Sequence, residues 1–197
     1  MKSLVLLLLF PLSIFCQSNY NLQLLGTYQW PYSEGSDIWG WVDSSGNEFA
    51  LVGLNDGFSV VNVSNPSNPS EMFYISDLNS TWRDVKTWKN FAYVTTEADA
   101  GLLIVDLNDL SGSTYWHKTK FYSSCNSDTT EFTAAHNLYI DENGIAYIFG
   151  ASSNTGSNPS NGAIFLDLNY DPVNPSYLGE WSENYIHDAM VRGDTMY

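Results

Sequence analysis

Apolar residues along this chain fall in short runs separated by turn-forming Gly, Asn, Asp and Pro. The clearest case is Phe91-Ala-Tyr-Val-Thr95, a polar turn containing Gly101, and then Leu102-Leu-Ile-Val-Asp-Leu107. Both runs are rich in β-branched and aromatic residues and too short for stable helices, so the pattern predicts a β-hairpin. The hairpin recurs at 48–53 with 57–63 and at 144–150 with 162–168, and it begins again at 194–197. In each full copy a Gly opens the second strand, which predicts φ > 0 at the turn, and Asn62, Asp106 or Asp167 stands near that strand's end.

A matched element precedes each hairpin, at 36–40, 83–87, 136–140 and 187–191. Further strands are expected at 25–28, 72–75 and 178–181. The unit is therefore about four strands in roughly 50 residues, the size of a propeller blade. The predicted fold is all-β: a β-propeller of four-stranded blades, with about three blades and the start of a fourth. Blade repeats are placed near 36–75, 83–130, 136–181 and 187–197, and 22–30 is expected to supply a ring-closing outer strand. The Pro-containing linkers 64–70 and 171–176 end their ladders, because proline removes a donor and fixes φ. Residues 111–133, with Trp116, His117 and Cys125, read as an insertion on one face of the disc, where function tends to sit.

Residues 1–16 combine a basic start at Lys2 with a short apolar stretch, the pattern of a secretory signal peptide rather than of a membrane span. A secreted or cell-surface location is expected. Cleavage after Cys16 removes Lys2, so the formal charge of −15 becomes −16. That balance excludes nucleic acid as a partner, since phosphate neutralisation needs Lys and Arg. Cys125 is then left without an intramolecular partner, and stability must come from stacked blades.

Superposing the repeats picks out the candidate chemistry. Asp37, Asp84, Asn137 and Asp188 are equivalent, as are Ser36, Arg83, His136 and His187 just before them. Innermost strands run beside a propeller's central channel, so these positions should converge on one axial mouth. Asp37, Arg83, Asp84, His136, Asn137, His187 and Asp188 are the ligand-binding candidates, with His136, His187 and Asp188 as possible metal ligands. Oxygen ligands would favour a divalent cation such as Ca²⁺, and imidazoles one such as Zn²⁺. With Arg83 as an electrophile, the ring could also bind an anion or perform acid/base chemistry. A purely structural role stands beside these: short polar side chains at strand starts often only satisfy nearby backbone. No Gly-rich phosphate loop, paired-cysteine metal site or nucleophile elbow occurs in the sequence.

The run Gly101-Leu-Leu-Ile-Val-Asp-Leu107 after Phe91-Ala-Tyr-Val-Thr95, the Ser-Asn-Pro-Ser-Asn-Pro linker and the pairs His136-Asn137 and His187-Asp188 resemble the LVIVD-repeat proteins. The likeness is to the secreted bacterial group called choice-of-anchor B. It implies an exported β-propeller, often carrying a C-terminal anchoring segment, and lends no settled activity. Because the chain stops inside a strand at Met196-Tyr197, it reads as an N-terminal fragment of a longer protein. The functional expectation is a binding or interaction scaffold for a protein or glycan at the cell exterior, with Trp39 and Trp82 near the mouth as contact platforms. The alternative is a metal-dependent hydrolase or lyase using the axial His/Asp site.

Overall fold

The computed structural model describes residues 22–197, and the signal peptide expected over 1–16 lies outside them. No helix forms among the described residues. The first four-stranded antiparallel sheet comprises β1 (Gly35–Val42), β2 (Glu48–Leu54), β3 (Gly57–Asn62) and β4 (Ser70–Ser76), in that order. The second comprises β5 (Arg83–Trp88), β6 (Phe91–Thr96), β7 (Leu102–Asp106) and β8 (Tyr115–Lys118). A two-stranded ribbon, β9 (Lys120–Tyr122) with β10 (Thr129–Glu131), follows. The third sheet is β11 (Asn137–Ile140), β12 (Ile145–Phe149), β13 (Ala163–Asp167) and β14 (Ser176–Trp181). The pair β15 (Val191–Arg192) and β16 (Thr195–Met196) opens a fourth unit. These sheets are propeller blades, each running in sequence order from an inner strand outward.

The central blade shows why its two middle strands read as unbroken apolar runs. Side chains alternate across a strand, and here both faces are covered. Tyr93, Leu102 and Ile104 pack towards the third sheet with Leu138, Ile148 and Leu166. Ala92, Val94, Leu103 and Val105 pack towards the first with Leu51, Phe58 and Val60. Each inter-blade layer is thus a separate core, and blade 2 contributes to both.

Repeated polar positions have repeated jobs. Asn62, Asp106 and Asp167 each accept the backbone N–H two residues on, from Ser64, Asn108 and Asn169, closing the same Asx turn after the third strand of every blade. The glycines that open the third strands are required for a different reason from the one expected. Only Gly101 has positive φ, at 73°. At all three, a Cβ would stand against an outer-strand carbonyl: 2.1 Å from Ile75 O at Gly57, 2.5 Å from Lys118 O at Gly101 and 2.3 Å from Trp181 O at Gly162.

Two features differ from the sequence reading. Residues 115–118 are not part of an insertion but form β8, the outer strand of blade 2, so that blade's sheet ends at Lys118 and the extra segment is 119–133. The segment closes core rather than displaying a functional loop, because Phe121 and Phe132 stack 5.1 Å apart and are buried between blades 2 and 3. Residues 22–30 form no strand. They lie against Ile38, Ala50, Val52 and Val61 of blade 1, held by hydrogen bonds from Tyr28 and Trp30 to Glu71.

Candidate functional site

Inner strand β1 lies beside β5, and β5 beside β11, so the starts of these strands meet as the repeat alignment requires. They enclose a cavity of about 240 Å³ lined by Ser36, Asp37, Trp82, Arg83, Asp84, His136, Asn137, His187 and Asp188. The structure therefore brings all seven ligand-binding candidates to one mouth. It does not give them equal freedom.

Asp37 and Asp84 act as links between blades. An inner strand has one edge paired within its sheet and one facing the axis, where its N–H groups need partners. Asp37 Oδ2 accepts the Val85 N–H at 2.9 Å, and Asp84 Oδ2 accepts the Leu138 N–H at 2.9 Å. Each carboxylate thus binds the residue after its own equivalent in the next blade. Lys86 Nζ lies between them, 2.7 Å from Asp84 Oδ1 and 3.6 Å from Asp37 Oδ2.

Burial and then the hydrogen bond with the neighbouring Asp37 carboxyl raise the Asp84 carboxyl to about 7, against the pull of Lys86 and the Leu138 N–H. Burial also lifts Asp37, but bonds from Asp84 and the Val85 N–H, with the Lys86 charge, leave it below the usual carboxylate range. Near neutrality the pair shares a proton held on Asp84. Its folded form retains that proton from about pH 4 to pH 7 while the unfolded chain has released it, so stability falls as pH rises through this window. Three pH units at about 1.4 kcal/mol each would give roughly 4 kcal/mol, which relaxation of the site reduces to an expected loss on the order of 2 kcal/mol. Asp84→Asn keeps an acceptor for the Leu138 N–H without ionising. Urea unfolding between pH 4.5 and 8 should show a downward slope in the parent chain and a flatter one in the variant; parallel curves would refute the assignment.

Arg83 does not supply a free electrophile. Its Nε donates to Leu54 O at 2.7 Å, Nη1 to Asp77 Oδ2 at 2.7 Å and Nη2 to Leu78 O, and its side chain is fully buried. The guanidinium is a strut between blades 1 and 2. The electrophilic role drawn for it gives way to this structural one, because its partners are backbone carbonyls and a buried carboxylate.

On the other side of the mouth His187 and Asp188 are accessible, while His136 is largely covered. His136 Nδ1 lies 2.6 Å from Glu97 Oε1, and His187 Nδ1 lies 2.5 Å from Asp188 Oδ2. The two imidazole centroids are 3.9 Å apart. One ligand atom from each of His136, His187 and Asp188 falls within 4.8 Å of the others, making this a three-residue group able to hold a metal ion. Trp82 approaches His136 with centroids 6.3 Å apart, and Tyr185 approaches His187 at 6.5 Å. Trp39, 38 % exposed, donates to Thr87 Oγ1 and carries Lys86 Nζ 4.9 Å over its ring. His117 lies apart on β8, its Nδ1 3.1 Å from Ala100 O, and Cys125 is an exposed free thiol.

Glu97 escaped the repeat comparison because it lies outside the inner strand. A signal existed: β5 and β6 pair with Arg83 opposite Thr96, so the next residue along β6 must stand beside Trp82 at the mouth. The Glu97 N–H donates to Trp82 O accordingly. A larger concavity of about 620 Å³ lies outside this mouth, formed by the 150–161 loop with Glu180, Ser182 and Tyr185. Its lining is mostly small and polar, and Ser160 pins the loop through its hydroxyl to Trp181 O.

The comparisons with known proteins agree with this architecture. No curated protein and no solved structure matches the chain significantly. Residues 42–77 and 81–114 each match the LVIVD repeat. The first match spans β2 to β4 and the second β5 to β7, so the repeat unit is most of one blade. The third sheet has the same strand order. The chain is accordingly a repeat β-propeller carrying two LVIVD repeats.

Proposed function

We propose that this propeller is exported and serves as a binding scaffold at the cell exterior, in the manner of the choice-of-anchor B proteins it resembles. The observation that carries this reading is the division of labour at the mouth. Asp37, Asp84 and Arg83 are committed to holding blades together, while Trp82, at 55 % exposure, lines the polar cavity and Trp39, two residues along β1 from Asp37, is 38 % exposed. Exposed indoles beside hydrogen-bonding groups suit a glycan or a protein segment, each of which presents an apolar patch and polar edges. No helix among the described residues is long and apolar enough to cross a membrane.

The test is retention of labelled protein on the surface of the cells that export it. The parent chain should be retained, and Trp39→Ala/Trp82→Ala should lower retention at least about tenfold, as expected for loss of aromatic anchors. Release by glycosidase identifies a glycan partner, and release by protease a protein one. Equal retention of parent and double variant would overturn the mouth as the contact surface. A hydrolase or lyase chemistry is the second reading, favoured by the His136–His187–Asp188 group.

A further inference from the structure

We propose that the mouth carries a first-row transition-metal site of the zinc class, formed by Nε2 of His136, a ring nitrogen of His187 and a carboxylate oxygen of Asp188, with Glu97 as the outer carboxylate that orients His136. The proposal is independent of the scaffold reading, since an ion could organise a contact surface or a reaction equally well.

Four observations converge on it. The three residues bring one ligand atom each within 4.8 Å of the others. Tetrahedral zinc with bonds near 2.0–2.1 Å needs ligand atoms roughly 3.3 Å apart, so closure requires only a small inward movement. His187 and Asp188 have side chains 62 % and 60 % exposed and can make that movement without disturbing a core.

The second observation is the state of the imidazoles. The His136 Nδ1 already faces the Glu97 carboxylate, so its Nε2 is left to ligate, while the His187 Nδ1 faces Asp188, whose exposed carboxylate turns from the ring to the ion when the site fills. A metal-binding histidine ordinarily has this arrangement, its other nitrogen donating to a carboxylate that fixes the tautomer and raises ligand basicity. Glu97 comes from blade 2 and His136 from the start of blade 3, so the orienting pair spans an inter-blade junction.

Third, the rings converge. The two imidazole centroids lie 3.9 Å apart with the rings tilted by 50°, so side chains from two successive blade starts reach the same spot. Fourth, the ligand set discriminates between metals. Calcium takes six to eight oxygens, and this mouth supplies two nitrogens and a carboxylate. Two imidazoles and one carboxylate suit zinc or another divalent first-row ion and leave at least one coordination position open.

The sequence has three histidines, so the test has an internal control. Calorimetric titration of the chain with Zn²⁺ in excess Ca²⁺, which occupies the general acidic surface, should give one site per chain. His136→Ala and His187→Ala should each weaken it at least about 100-fold, and Glu97→Gln by 10–100-fold, the range for loss of an outer-shell partner. His117→Ala, far from the mouth, should leave the isotherm unchanged. His187 is solvent-exposed, so its variant should fold, and an unchanged far-UV spectrum would confirm this. One stoichiometric site lost in the His187 variant supports the proposal. Absence of a site in the parent, or equal affinity in the His187 and His117 variants, overturns it, and neither result touches the Trp39/Trp82 retention test.

Discussion

Arg83→Met is expected to destabilise the chain by about 3–5 kcal/mol, the range for removing one partner of a buried charge pair. The loss exceeds that of one hydrogen bond because three acceptors are stranded together. Asp77, whose side chain is 5 % exposed, would keep a desolvated carboxylate, and the Leu54 and Leu78 carbonyls would lose their donors. Arg83→Lys should recover less than half, since one ammonium cannot reproduce a planar fork that reaches three directions. Arg83→Met combined with Asp77→Leu should recover more than Arg83→Lys, because it removes the unpaired charge as well as its partner. Urea midpoints at constant slope would rank the three variants. A loss below about 1 kcal/mol in Arg83→Met would show that the strut is dispensable and reopen a chemical role for this arginine.

Arg83 also marks the limit of what repeat superposition can read. Aligning the blades placed it correctly at the mouth, because position in an inner strand is set by the repeat. Its role depends on where the guanidinium goes, and its acceptors come from the end of β2 and from the linker after β4, which have no fixed relation to position 83 in a strand pattern. The all-β architecture was legible for a firmer reason. The middle strands of blade 2 are covered on both faces, so Phe91–Val94 and Leu102–Val105 are apolar at every position and could not be mistaken for loops.

Strands with one face in solvent were harder to read. In β8, Tyr115-Trp-His-Lys118, exposed and half-buried positions alternate and polar residues dominate, which made an outer strand resemble an insertion. Residues 22–30 erred in the opposite direction. Their place before the first inner strand in the repeat suggested a strand, yet a strand requires a ladder, and this stretch is held by side-chain bonds to Glu71 instead. The carboxylates were legible in position but ambiguous in role, since an Asp that ligates a cation and an Asp that caps a neighbouring backbone occupy the same register. Only the distances to Val85 and Leu138 separate those roles.

Gly101→Ala is the second large effect, and its interpretation rests on comparison with two other glycines. Gly101 combines φ of +73° with an outer-strand carbonyl, Lys118 O, 2.5 Å from where a Cβ would stand. Gly46 has φ of +84° and nothing within 4 Å, so alanine there meets only the backbone penalty, about 1 kcal/mol. Gly57 has no positive φ but lies 2.1 Å from Ile75 O in the same sense, so alanine there meets only the clash. Neither carbonyl can withdraw alone: Lys118 is paired with Leu102 and Ile75 with Phe58. Gly101 is further tied by its N–H to Thr133 O, so movement of the turn would also pull on the segment that closes the core between blades 2 and 3. The expected order of loss is Gly46→Ala smallest, then Gly57→Ala, then Gly101→Ala at roughly 3–4 kcal/mol, near the upper end for a single substitution. Thermal or urea unfolding of the three variants would decide. Equal losses at Gly46 and Gly101, with Gly57→Ala neutral, would show that turn conformation governs these positions; the predicted order means that close packing of the outer strand is what the repeat conserves room for.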